Sequence, residues 1–175
     1  MGGNFIITLR SPAPSDRERI WAYRAEFLRA GDSLDGTAAL DRAESFAEWF
    51  SAVEDNRRAE SVRSGMVPAT SFLAEDAAGS LVGMIQLRHC LNDYLLHFGG
   101  HIGYSVRPSQ RRKGYATEML RLVLEEARRL GLKQVLVTCD AANEASRRTI
   151  RTNGGVLDGA IAEGGRLTQR YWIAL

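Results

Sequence analysis

The sequence predicts an α/β chain of the α+β kind, with one mixed, mostly antiparallel sheet of about seven strands flanked by helices. Three observations carry this. After Ala116 the apolar residues Met119, Leu120, Val123, Leu124, Ala127 and Leu130 repeat with the cleanest helical period in the chain. Val135, Leu136 and Val137 form a compact apolar run with no polar alternation, as in a strand covered on both faces. Short apolar runs bounded by turn residues alternate with helical stretches, an order that suits helices packed on a sheet.

Residues 4–10 are short and β-rich and stop at Ser11-Pro12-Ala13-Pro14, which predicts a first strand. Ser15 and Glu18 have the spacing of a capping box and open a helix that Gly31 ends. Residues 31–40, with Asp32, Asp35 and Gly36, predict an exposed loop. Phe46, Trp49, Phe50 and Val53 share one face of a helix expected over 41–62; the stripe suits a core face, with a substrate wall as the alternative. Runs at 69–76 and 80–89 predict a hairpin. A loop through Asn92, Asp93 and Gly99-Gly100 leads to a strand at 101–106 closed by Arg107-Pro108. The helix from Ala116 carries an outward Glu125/Arg129 pair, and the strand at 135–137 follows it. Asn143 is placed to cap a short helix that Gly154-Gly155 ends, and strands at 156–162 and 166–174 close the chain.

The length of 175 residues suits a single domain spanning 1–175. Apolar residues make up 45% and charged residues 25%, which places the chain among folding globular sequences rather than disordered ones. A formal net charge of +2 makes neither nucleic acid nor an anionic membrane the expected partner, so any basic site is local. Two cysteines are too few for a disulfide framework, and the absence of a signal-like start points to the cytoplasm. Met1-Gly2-Gly3 opens like a myristoylation site, but residue 6 is Ile where Ser or Thr is needed. No apolar run reaches the roughly 20 residues of a bilayer span. No metal-ligand spacing is present, so no metal is expected.

Chemistry concentrates between Ser105 and Ala116. Gly114 and Ala116 let backbone approach a ligand where a strand gives way to a helix, and the first helical amides point outward with the positive end of the dipole. Arg111, Arg112 and Lys113 surround this anion site with cations. The string lacks the Gly-Lys-Ser/Thr of a Walker loop and the three glycines of a dinucleotide turn, which sets aside nucleotide hydrolysis and hydride transfer.

Val106 to Ala116, Val135 to Val137, Asn143-x-x-Ser146 and Gly154-Gly155 together resemble the GNAT superfamily of acyl-CoA-dependent N-acetyltransferases. The resemblance covers roughly residues 69–160. It implies that acetyl-CoA is the co-substrate, that the strand ending at Val106 lends backbone groups to pantetheine, and that the Val106 amide lies near the thioester oxygen. It further implies that Arg111 to Ala116 take the pyrophosphate and that Asn143 meets the pantetheine arm with Ser146 one turn on. The implied coenzyme set is Ser105, Val106, Arg111, Arg112, Lys113, Gly114, Tyr115, Ala116, Thr117, Asn143 and Ser146. Asn143 and Ser146 are equally explained by helix capping. Many members carry a Tyr four residues beyond the Ser146 position, as the acid for the departing thiolate; here that residue is Ile150, which cannot donate a proton.

The expected reaction is attack of an amine on the thioester in a ternary complex, with a base of near-neutral pKa. Of His89, His97 and His101, the last lies on the strand beside the expected thioester and is the first candidate for that base, with Tyr104 and Asp93 next. Cys139 suits a small core residue better than a nucleophile. The expected acceptor is a small-molecule or peptide amine, which Asp32, Asp35 and Asp41 would suit if it is cationic. The alternative to an enzyme is a non-catalytic acyl-CoA-binding module. A homodimer is compatible with the sequence, and nothing in it selects the acceptor or the length of the acyl group.

Overall fold

A computed structural model describes residues 7–175; residues 1–6, and with them the start of the expected first strand and the Met1-Gly2-Gly3 segment, lie outside the described residues. The chain runs β1 (Thr8–Arg10), α1 (Arg17–Ala30), α2 (Phe46–Asp55), β2 (Ala69–Glu75), β3 (Leu81–Arg88), β4 (Ile102–Val106), α3 (Tyr115–Arg129), β5 (Gln134–Asp140), α4 (Glu144–Thr152), β6 (Val156–Glu163) and β7 (Arg166–Ala174). One seven-stranded sheet takes the order β1-β2-β3-β4-β5-β7-β6, antiparallel throughout except where β4 runs parallel to β5. This is the mixed, mostly antiparallel sheet that the sequence predicts.

Two layers cover the sheet. On one face α3 buries Met119, Leu120, Val123 and Ala127 completely, against Ile85, Leu87, Val135 and Val137. Each such side chain contributes about 1.5–3 kcal/mol on leaving water. On the other face α1 and α2 pack Ile20, Tyr23, Phe27, Trp49 and Val53 against Leu73 and Met84. The aromatic stripe of α2 is therefore a core face.

Several expectations shift. The second helix spans 46–55 rather than 41–62. The Ser45 hydroxyl accepts from the Glu48 amide and starts it late, while the guanidinium of Arg24 holds the Leu40 and Asp41 carbonyls in the preceding loop. Past Asp55 the buried Asn56 accepts from the Arg63 amide, which turns the chain out of the helix. The carboxylate that reaches back before α1 is Asp16, not Glu18: it accepts from the Ala13 amide at 2.8 Å and is gripped by Arg10 at 2.6 Å. Residues 95–99 form a wide helical turn, not an open loop. On α3 the outward pairs are Arg121 with Glu118, Arg128 with Glu125 and Arg129 with Glu126, so Glu125 and Arg129 do not pair with each other.

Candidate functional site

The only parallel neighbours among the described residues part company immediately. The β4 and β5 strands are in register at Ile102 and Val137 alone, and the His101 amide donates to the Leu136 carbonyl just before that point. Beyond it β4 stays with β3 and β5 stays with β7, which opens a wedge between residues 103–106 and 138–140. Antiparallel pairs alternate between bonded and open positions. With Arg88 bonded to His101 and Arg107 to Val82, the groups turned away from β3 are those of Tyr104 and Val106, so both amides face the wedge. The wedge belongs to a cleft of about 750 Å³, the size of a cofactor site.

One end of the cleft is the turn before α3. Arg112 and Gly114 both take left-handed backbone, with φ of 62° and 83°, so successive amides curl toward one side. The Glu118 amide bonds back to the Gly114 carbonyl, and those of Lys113, Gly114, Ala116 and Thr117 have no backbone acceptor among the described residues. These donors and the dipole of a 15-residue helix form an anion cradle. Its cations are mostly committed elsewhere. Arg107 bonds Glu26 at 2.5 Å, Arg111 bonds Asp32 at 2.7 Å and lies over the Phe27 ring, and Lys113 donates to Gln110. Lys113 is outside the cleft lining, whereas Arg112 lines it with no side-chain partner among the described residues.

Across the wedge, Tyr104 on β4 meets Ser146 on α4, with 2.6 Å between their hydroxyl oxygens. Burial pushes the Tyr104 phenol above its ordinary pKa, so it carries its proton at neutral pH. Cys139 lines the same stretch, and burial raises its thiol as well, which opposes a thiolate nucleophile. Ile150 is fully buried and packs under the Gly155 turn, where a Cβ on that glycine would come 2.4 Å from its Cγ2. Asn143 caps α4 by accepting from the Ser146 amide at 3.1 Å, and its own NH₂ group bonds no described residue. Capping and ligand contact are thus compatible in one side chain.

The far end is walled by the loop between α1 and α2 and by the turn at 95–99. Gly36 lies so close to β4 that a Cβ there would be 2.1 Å from the Gly103 carbonyl oxygen. Thr37 secures the loop, accepting at its carbonyl from the Trp49 indole at 2.7 Å while its hydroxyl donates to Leu34. Asp32, Asp35, Arg88, Tyr94, Phe98 and Glu163 also line the cleft. Asp32 is occupied by Arg111, and Asp140 further along is occupied by Arg166 at 3.1 Å. Asp35 and Glu163 form no ion pair with any described residue.

His101 is not in the cleft, which corrects its expected role as base. Its Nδ1 accepts from the Leu136 amide at 2.9 Å beneath Trp172, and burial and the nearby Arg88 charge lower its pKa to about 4. It helps to hold β4 to β5 just before they diverge. Ser105 and Tyr115 do line the cleft, although the Ser105 hydroxyl and carbonyl are bonded to Tyr23 on α1 and the Tyr115 side chain joins the core. Asp93 does not line the cleft. Sequence reading missed Arg88, Thr138, Thr149 and Glu163, since none sits in a local motif; only the sheet order brings them together. Among the described residues no group of three or more His, Cys, Asp or Glu could hold a metal ion, and no helix is long and apolar enough to cross a membrane.

Comparisons with known proteins agree with this geometry. Residues 7–156 match the family described as Acetyltransferase (GNAT) domain. Comparison with curated proteins finds no match. Among solved structures, the chain is similar to RimL, a ribosomal L7/L12 alpha-N-protein acetyltransferase in complex with coenzyme A, with a TM-score of 0.72 and 17% identity over 100% of this chain and 97% of that one. It is also similar to a chimera of the spermidine N-acetyltransferase SpeG from Vibrio cholerae and hSSAT, with a TM-score of 0.65 and 18% identity over 96% and 95% of the two chains. At these identities the likeness is one of fold.

Proposed function

The chain belongs to the GNAT acetyltransferase family, and we propose that it moves an acetyl group from acetyl-CoA to a primary amine, of a small molecule or a peptide, by direct attack in a ternary complex. The single observation that carries this reading is the wedge between β4 and β5 running into the unpaired amides at Lys113, Gly114, Ala116 and Thr117. Acetyl-CoA fits as co-substrate: the turn offers donors to its pyrophosphate, Arg112 adds a mobile cation, and Asn143 has a free amide donor for the pantetheine arm.

The Tyr104 and Val106 amides point where a thioester oxygen would lie and would donate to it as negative charge develops. The amine nitrogen bonds to the acetyl carbon, the carbon–sulfur bond breaks, and the thiolate needs a proton. The paired hydroxyls of Tyr104 and Ser146 suit that task, since the phenol is protonated and hydrogen-bonded across the wedge. In this reading β4 supplies the acid that Ile150 cannot. The amine loses its proton to Asp35 or Glu163, directly or through water, as these carboxylates line the cleft and form no ion pair among the described residues.

Two measurements test the reading together. Acetyl-CoA at 100 times its dissociation constant should stabilise the fold by about 2.7 kcal/mol. Gly114→Val should abolish that shift, because Gly114 has a φ of 83° and a side chain there would fill the approach to the cradle. Release of free thiol with an amine panel then separates an enzyme from a module that only binds the coenzyme. The absence of any thermal shift would overturn both.

A further inference from the structure

Arg88 ends β3 at the acceptor end of the cleft, and its guanidinium is only half committed. Nη1 donates to the Gly99 and Gly100 carbonyls at 2.9 and 3.0 Å, which holds the end of the 95–99 turn. Nε and Nη2 bond no described residue, and no carboxylate lies within ion-pair distance of the group. Gly103 leaves the room beside it: a Cβ there would sit 3.6 Å from Nη2. Asp35 acts on the guanidinium through space without pairing with it, and Tyr94 and Phe98, with ring centroids 5.6 Å apart, form an apolar wall alongside. A desolvated guanidinium fork with two donors open to a cavity is built for a planar bidentate anion. The carboxylate opposite favours a ligand that carries a cation as well.

The geometry points to an acceptor amine that carries its own carboxylate, docked on the open edge of Arg88 with its ammonium toward Asp35: a free amino acid whose apolar or aromatic side chain rests on Tyr94 and Phe98. This names the substrate class of the transferase reading and rests on it. It assigns to Arg88 the choice between amino acids and simple amines.

The test compares L-phenylalanine with phenethylamine, which differ by the carboxylate alone, as acceptors for thiol release from acetyl-CoA. The wild type should favour phenylalanine at least tenfold in kcat/KM, and Arg88→Gln should reduce that ratio by tenfold or more. Arg88→Lys keeps the charge without the fork and should hold an intermediate ratio; it also serves if the glutamine variant fails to fold. Equal or better use of phenethylamine by the wild type, or an unchanged ratio in both variants, would overturn the assignment. Binding of N-acetyl-L-phenylalanine, measured by calorimetry, requires no transfer. Its Kd should rise at least tenfold in Arg88→Gln, and an equal Kd would overturn the carboxylate site. Absence of thiol release with every amine would instead bring down the transferase reading, and the binding comparison would still decide the role of Arg88.

Discussion

Replacing Gly36 by alanine tests whether the acceptor loop is clamped to β4. The new Cβ would lie 2.1 Å from the Gly103 carbonyl oxygen, 2.3 Å from its carbon and 2.6 Å from the Tyr104 nitrogen. Apolar contacts settle at about 3.5–4.0 Å, so the loop and strand would have to separate by roughly 1.5 Å. Overpacking of that kind costs about 1–3 kcal/mol, and the φ of 71° adds about 1–2 kcal/mol for an L-residue. In a chain of this length each kcal/mol lowers Tm by about 2–4 °C. Gly31 provides the control: its φ is 66°, yet a Cβ there meets nothing within 4 Å, so Gly31→Ala carries the conformational cost alone. Thermal melting should place Gly36→Ala well below Gly31→Ala. In the thiol-release assay Gly36→Ala should raise the KM for the amine more than that for acetyl-CoA, since the loop reaches the 111–116 turn only through the Asp32–Arg111 pair. Equal melting points for the two variants would refute the clamp.

Two further outcomes follow from the site. Tyr104→Phe removes one of the paired hydroxyls and should lower kcat about 10–100-fold with little effect on acetyl-CoA affinity, as measured by steady-state kinetics; an unchanged kcat would remove Tyr104 from the proton path. The imidazole of His101 has its folded pKa lowered to about 4, below the ordinary value of 6.5, so the unfolded chain binds its proton first as the pH falls. Stability from this residue is whole above pH 6.5 and is lost on acidification toward pH 4, by at most about 3 kcal/mol. Denaturant unfolding across that window should show the loss. His101→Asn, whose side-chain oxygen can still accept from the Leu136 amide, should flatten the slope and leave turnover of the folded protein unchanged. A fall in kcat would restore His101 as a base.

Much of the fold is legible in the sequence because its signals are local. Met119 to Ala127 display the helical period, Gly31 and Gly154 stop helices, and Val135 to Val137 read as a buried strand with no knowledge of their neighbours. The limits of α2 were not legible. Ser45 and Asn56 end it through side-chain bonds to backbone, whereas the stripe of Phe46, Trp49, Phe50 and Val53 marks the buried face and not where the helix starts or stops. His101 was misread for a related reason: it stands one residue ahead of β4, and only the contact with β5 shows that its ring is spent on the Leu136 amide.

The sequence by itself determined the anion cradle, because a turn with left-handed positions followed by free helical amides is made of consecutive residues, and backbone geometry needs no partner to define it. The tertiary structure alone decided what stands around that cradle. Tyr104 and Ser146 are 42 residues apart, and Arg88 lines one cleft with Asp35 and Phe98 only because the strand order carries β3 and β4 to the wedge that β5 opens. Contacts of that range come from which strand pairs with which, and that is settled by burying both faces of the sheet at once.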